Sequence, residues 1–237
     1  MDFPLDKYTY QARLLPALIT FTPVGFATAV WFPGETATWN WLGTLFISLG
    51  LAALLSQLGR DLGKRKEPWL FSRWGGAPTT RLLSHRQSRL NPLTLKRYHL
   101  KLQTLVPELK IPTSSEEAQD PSAADHVYDS CVHFLREKTR ERKQFPLVFA
   151  ENINYGFRRN LWAFKPIGIS ASLIGFVTCG FAITRRLHGN TSGLLLSIVG
   201  ATMSAALFLL WVFALSPNWV RIPADAYAER LLGSLDA

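Results

Sequence analysis

Apolar residues fall into two blocks toward the ends of the chain, and a charged block separates them. Four stretches inside those blocks carry no charge. They are Leu14 to Phe32 (19 residues), Thr38 to Leu58 (21), Ile167 to Thr184 (18) and Gly193 to Leu215 (23). A helix rises about 1.5 Å per residue, so crossing a hydrocarbon core of about 30 Å takes roughly 20 residues. Unpaired backbone amides are too costly in lipid for any open structure, and the alternation of a barrel strand is missing. The pattern therefore predicts an all-α membrane protein with four transmembrane helices arranged as two hairpins. Pro16 and Pro23 lie in the first stretch, and a bend is expected near Pro23 because proline removes a helix hydrogen bond.

The first stretch does not read as a cleaved leader. Asp2 and Asp6 offset Lys7 and Arg13, and no small-residue cleavage site follows at a suitable distance. The expected organisation is a first hairpin over 1–59, a basic cytoplasmic domain over 60–166, a second hairpin over 167–215 and a cytoplasmic tail over 216–237. Within the middle segment, Pro112 to Pro121 reads as an exposed loop. Ser122 with Asp125 is expected to cap a helix running to about Lys143, with Val127, Cys131, Phe134 and Leu135 as its apolar stripe and Pro146 as its stop. Asn91-Pro92 is expected to start another helix, through Lys96, Arg97, His99 and Lys101. A helix from about Leu147 is expected to lead toward the third span, with a break at Pro166.

Charge orients the chain. Arg60 to Pro166 holds 20 Lys plus Arg and 11 Asp plus Glu, net +9, which equals the charge of the whole chain. The positive-inside rule places this segment and both termini in the cytoplasm; Arg185 and Arg186, after the third span, run against it. Mean hydropathy is only +0.08, an average over very apolar and very polar parts. The two cysteines, Cys131 and Cys179, lie in different segments and are not expected to pair.

Catalytic motifs are missing. The sequence holds no phosphate-cradling glycine loop, no Gly-x-Ser-x-Gly elbow and no His-Glu-x-x-His pair. No cofactor is expected, and the chain is not read as an enzyme. His126, Asp129 and His133 share a helical face and are the best metal candidates, although an ordinary polar face has the same composition. The basic half carries Arg73, Arg81, Arg86, Arg89, Lys96, Arg97 and Lys101, interleaved with aromatic residues such as Trp74. Guanidinium groups bind phosphate and rings stack on bases, which suits a nucleotide or a short single-stranded nucleic acid. A solvated basic face has the same pattern. Arg158 and Arg159 are a second candidate for that ligand. Together with Lys64 to Lys66 and Lys165, they also suit the topology-fixing, lipid-touching role of juxtamembrane cations.

The four spans contain no Asp, Glu, Lys, Arg or His, whereas ion-coupled carriers usually keep an ionisable group at depth. Small residues recur at helical spacing in the third span (Gly168, Ser172, Gly175, Cys179) and in the fourth (Gly193, Ser197, Ala201, Ser204). Such residues let helices approach closely.

The runs Gly59 to Glu67 (GRDLGKRKE), Trp74 to Thr80 (WGGAPTT) and Glu151 to Asn160 (ENINYGFRRN) resemble those of small four-span bacterial membrane proteins of nucleotidyltransferase-linked anti-phage defence. The Hailong membrane effectors are one example. The resemblance implies an inner-membrane homo-oligomer whose pore is controlled by a nucleic-acid ligand, made by a neighbouring nucleotidyltransferase and sensed by the cytoplasmic segment. The expected assembly is a tetramer. Ser197, Thr202 and Ser204 beside Leu207 and Phe208 are the first candidates for its pore lining, and Thr20, Thr22 and Thr28 the second. A scaffold recruiting a cytoplasmic partner, or a subunit of a membrane enzyme or transporter, are the alternatives.

Overall fold

The charge-free runs become long helices because no other backbone arrangement satisfies its own amides in lipid. The computed structural model describes residues 7–32 and 41–237, with the side chains of 41–53 outside that description. The helices are α1 (Leu15–Trp31), α2 (Trp41–Trp74), α3 (Pro78–Leu83), α4 (Pro92–Leu105), α5 (Ser114–Gln119), α6 (Pro121–Lys138), α7 (Pro146–Ala163), α8 (Lys165–Leu187), α9 (Leu194–Leu209) and α10 (Pro217–Gly233). A π-helical turn, Thr9–Leu14, leads into α1, and another, Leu210–Ala214, continues α9. Among the described residues there is no strand. Three described helices are long and apolar enough to cross a membrane: Thr9–Trp31, Lys165–Leu187 and Leu194–Ala214. Of the expected second span, Thr38 to Leu58, residues 38–40 and the side chains through 53 lie outside the described residues.

The chain divides into two units. The first comprises Met1–Lys66 and Gly156–Val220, and the second Glu67–Tyr155 and Arg221–Ala237.

In the first unit, the small residues of the third and fourth spans pack helix on helix. Gly168, Ser172, Gly175 and Cys179 of α8 are buried, as are Ser197, Gly200, Ala201 and Ser204 of α9. A Cβ at Gly168 would stand 2.2 Å from the Trp211 ring, and one at Gly175 would stand 2.7 Å from Pro23 Cβ. At Gly200 it would meet Cys179 Sγ at 2.9 Å. These positions are glycine because a neighbouring side chain already fills the space. The helix α1 runs without interruption through Pro23, which is buried.

Only 28% to 33% of each apolar window is buried, so most of every spanning helix faces outward, as a lipid-facing helix does. Leu173, Ile174, Val177 and Phe181 of α8 and Leu195 and Leu209 of α9 are among the exposed side chains.

Polar clamps close both ends of this bundle. Arg186 donates to the carbonyls of Val30 (2.7 Å) and Gly193 (2.9 Å), and to the Ser197 hydroxyl. It therefore joins the last turns of α1 and α8 to the first turn of α9. At the opposite end, Asn160 Nδ2 donates to the Ala12 carbonyl at 2.7 Å. There Lys165 also donates to the Leu215 carbonyl at 2.8 Å. The helices α1 and α8 are thus parallel, and α9 is antiparallel to both. The carbonyls of Val30 and Leu215 lie at C-terminal helix ends and have no intrahelical donor, which explains why cations sit there.

The second unit has its own core, with Leu83, Leu102, Tyr128, Cys131, Val132 and Leu135 packed against Ala228, Leu231 and Leu232. Residues 221–237, which the sequence reading set apart as part of a tail, belong to this unit. Burial pushes the Cys131 thiol up to about 11.

Helix boundaries partly follow the sequence. Asn91 caps α4 by accepting from the Leu93 amide. The expected loop from Pro112 to Pro121 instead contains α5, closed by a capping box between Thr113 and Glu116. Ser122 is not the cap of α6. Asp120 takes that role by accepting from the Ala123 amide, because Pro121 at the first turn moves the start forward. The helix α6 stops at Lys138, short of Lys143, and Pro146 opens α7 where a stop was expected. The break expected near Pro166 is present: α7 ends at Ala163, and Pro166 lies in the first turn of α8.

Gly168→Ala should lower the thermal unfolding midpoint in detergent by roughly 5 to 10 °C, since overpacking a filled core costs about 1–3 kcal/mol. Gly180→Ala, where a Cβ meets nothing within 4 Å, should leave it unchanged. Equal midpoints for the two variants would mean that the contact at Trp211 does not hold α8 in place.

Candidate ligand site

The charge of the second unit is almost balanced. It holds 15 Lys plus Arg against 13 Asp plus Glu, net +2, and the remaining +7 of the chain belongs to the first unit. The cations of the basic half are largely paired with carboxylates distant in sequence. Arg86 meets Glu117 at 3.1 Å and Asp125 at 2.6 Å. Arg89 meets Asp225 and Glu229, each at 2.9 Å. Arg97 and Lys101 share Asp236, at 2.8 and 2.9 Å. Lys101 holds the Asp236 carboxyl below the usual range, and the Arg97 charge adds to this.

The other candidates are dispersed. Arg81 donates to the Gln87 side chain at 3.0 Å. Burial and the Arg221 charge lower its pKa. Arg73 lies over the Trp69 ring at 5.5 Å. Trp74 is buried and offers no open face for stacking. Arg158 and Arg159 belong to the first unit. There Arg158 lies 4.8 Å over the Trp219 ring, and Arg159 is buried beside Asn160. Lys96 is exposed on α4 and makes no hydrogen bond or ion pair with the described residues.

Glu117 organises this region, and the sequence reading had placed it in a solvated loop. It is 1% exposed. It accepts from the His85 amide (2.7 Å), the Arg86 amide and guanidinium, and the Tyr128 hydroxyl (2.8 Å). Burial works to raise its pKa, but these hydrogen bonds and the Arg86 charge outweigh burial and hold it below the ordinary value. The sequence signal for an ordered segment was the Thr113-Ser-Ser-Glu116 pattern of a capping box. Tyr128 in turn stacks on His99, which meets His85 edge to face at 4.9 Å. His99 Nε2 faces the Leu83 carbonyl at 2.7 Å, and since a carbonyl only accepts, this nitrogen carries the proton. Burial lowers the His99 pKa.

Two depressions open on this cluster. One, about 520 Å³, is lined by His85, Leu95, Lys96, His99, Gln103 and Ser114, among others, and has no carboxylate in its wall. The other, about 250 Å³, is lined by Gly75, Gly76, Arg81, Arg86, Asp125 and Asp129. Gly75 and Gly76 take φ of +79° and +125°, which favours glycine at both. In this depression Arg86 is already met by Asp125. His126, Asp129 and His133 do not form a metal site, since no group of three or more metal-ligating side chains stands together among the described residues.

The candidate pore residues are divided among faces of α9. Ser197 and Ser204 are buried within the unit, with hydroxyls on the Gly193 and Gly200 carbonyls. Thr202 is exposed, and Leu207 and Phe208 are half-buried. Thr20 is buried, whereas Thr22 and Thr28 are not, and all three hydroxyls bond to carbonyls four residues back. No protein-family model matches the chain, nor does any curated protein or solved structure.

Glu117→Gln should destabilise the second unit by about 2 to 4 kcal/mol at pH 7, because it leaves buried donors and Arg86 without their charged acceptor. A carboxyl with a lowered folded pKa contributes fully above its ordinary value, about 4.3. It loses that contribution as pH falls through the folded value. The stability gap between wild type and Glu117→Gln should therefore narrow from pH 7 to pH 3 in chemical denaturation. A gap that holds constant would show that the Glu117 charge contributes nothing.

Proposed function

We propose that the chain is a four-span protein of the bacterial inner membrane that forms a homo-oligomeric pore. A phosphate-bearing nucleotide or short nucleic acid bound by the cytoplasmic unit would control it, as the resemblance to anti-phage defence effectors implies. The observation that carries the pore reading is the tightness of the first unit. With Gly168, Gly175 and Gly200 each closed off by a neighbour within 2.9 Å of where a Cβ would sit, no water-filled path fits among α1, α8 and α9. Conduction would need several copies around an axis, and four is the number we favour.

The described ends of the helices support the fourth crossing. The helix α1 leaves its clamp at Val30, beside Arg186. By Gly59 and Gly63 the chain stands at the other end, close to the Arg13 carbonyl and the Asn160 side chain. Residues 41–58 of α2 are 18 helical residues, about 27 Å at 1.5 Å per residue, and the uncharged run from Thr38 to Leu58 would suit a fourth passage. Arg13, Lys66, Arg159 and Lys165 lie toward the same end of the first unit as Gly59 and Gly63, which supports a cytoplasmic placement for that end and, by the expected topology, for both termini.

Pore-lining side chains would come from outward faces. Ser197 and Ser204 hold α9 inside the protomer, so Thr202 supplies the hydroxyl, and Leu207 with Phe208 the apolar gate that blocks ions by dewetting. A membrane scaffold recruiting a cytoplasmic partner remains the second reading, favoured by the internal pairing of the arginines.

Planar-bilayer recording with purified protein distinguishes the two. Stepwise currents that Phe208→Ser enlarges or leaves open are expected, together with a particle of several copies in detergent. A silent bilayer with and without short oligonucleotides, from a monodisperse monomer, would overturn the pore.

A further inference from the structure

We infer that the 520 Å³ groove beside His85 and His99 is the ligand site of the cytoplasmic unit, and that it takes a nucleotide bearing a single phosphate rather than a polymer. The inference rests on the ligand-controlled reading above and makes it specific. The groove volume lies within the range typical of small-molecule sites, about 300–1,000 Å³. Its walls come from α4, from His85, and from residues 111–114 leading into α5. His85 bridges two of these walls, since its ring Nε2 faces the Pro112 carbonyl at 3.1 Å.

Charge counting selects the ligand. Arg86, Arg89, Arg97 and Lys101 are each met by a carboxylate. Lys96 is the one Lys or Arg in the groove wall among the described residues, and no Asp or Glu accompanies it there. A strand of several phosphates would need a row of cations, and the groove wall holds Lys96 alone among the described residues. A single phosphate needs one. Gln103 lies seven residues beyond Lys96, on the same face of α4, and Ser114 stands in the opposite wall. Neither side chain is used in a hydrogen bond among the described residues. They are donors and acceptors of the kind that reads a heterocycle, while Leu95, Leu100 and Ile111 supply the apolar floor. Arg86, Arg89, Arg97 and Lys101, candidates in the sequence, would then be structural.

The test is isothermal titration of the full-length protein in detergent with adenosine 5′-monophosphate, adenosine, inorganic phosphate and a six-residue oligodeoxyadenylate. The monophosphate should bind, and adenosine should bind at least tenfold more weakly. Lys96→Ala and Gln103→Leu should each weaken the monophosphate at least tenfold, with the thermal midpoint of the unliganded protein unchanged. Lys101→Ala, outside the groove, should not. Binding of the monophosphate that Lys96→Ala leaves intact would overturn the assignment, as would no binding of it at all. Oligonucleotide binding that ignores Lys96 would also overturn it while leaving the pore proposal standing. Monophosphate binding lost in Lys96→Ala, in a protein that never conducts, would uphold this site and end the pore.

Discussion

Backbone carbonyls at the C-terminal ends of helices have no intrahelical donor, and the first unit is arranged around that constraint. From the last turn of α8, Arg186 serves the last turn of α1 and the first turn of α9 with one guanidinium, a planar group with five donors in a rigid fork. Lys165 and Asn160 do the corresponding work at the other end. With both ends tied, the helices are free to approach as closely as their side chains permit. That proximity is why Gly168, Gly175 and Gly200 are glycine and why their partners are Trp211, Pro23 and Cys179. Arg186 ran against the positive-inside pattern in the sequence. Its position as a clamp explains why a cation is kept at that end.

The second unit is held together by carboxylates. A buried Glu117 is tolerable only because four donors converge on it. In meeting them it joins the end of α3 and the following turn to α5 and α6. The C-terminal segment does the same through Asp225, Glu229 and Asp236. A stretch that is strongly basic when read along the chain is therefore nearly neutral once folded, and most of the uncompensated charge belongs to the first unit.

Much of the architecture was legible because lipid imposes a rule that depends only on local composition. Charge-free runs of about 20 residues can be read without knowing what they touch, and Asn91-Pro92 marks a helix start by itself. The candidate site was less legible for a physical reason. Whether Arg86, Arg89 or Arg97 is available to a ligand depends on acids 31 to 140 positions away, and spacing along the chain carries no trace of that pairing. The stretch from Pro112 to Pro121, with Glu117 in it, looked like an exposed loop for the same reason, since the donors that bury Glu117 lie elsewhere in sequence. Helix starts shifted where two cap residues compete, as Asp120 and Ser122 do on either side of Pro121.

Thiol labelling in intact cells with a membrane-impermeant reagent tests the four-span, one-sided arrangement most directly, because the native cysteines are buried. Asn190→Cys, between α8 and α9, should label from outside. Ser115→Cys in the cytoplasmic unit and Lys7→Cys before α1 should label only after the cells are opened. Labelling of Ser115→Cys or Lys7→Cys in intact cells would contradict the arrangement, as would an Asn190→Cys that is reached only after lysis.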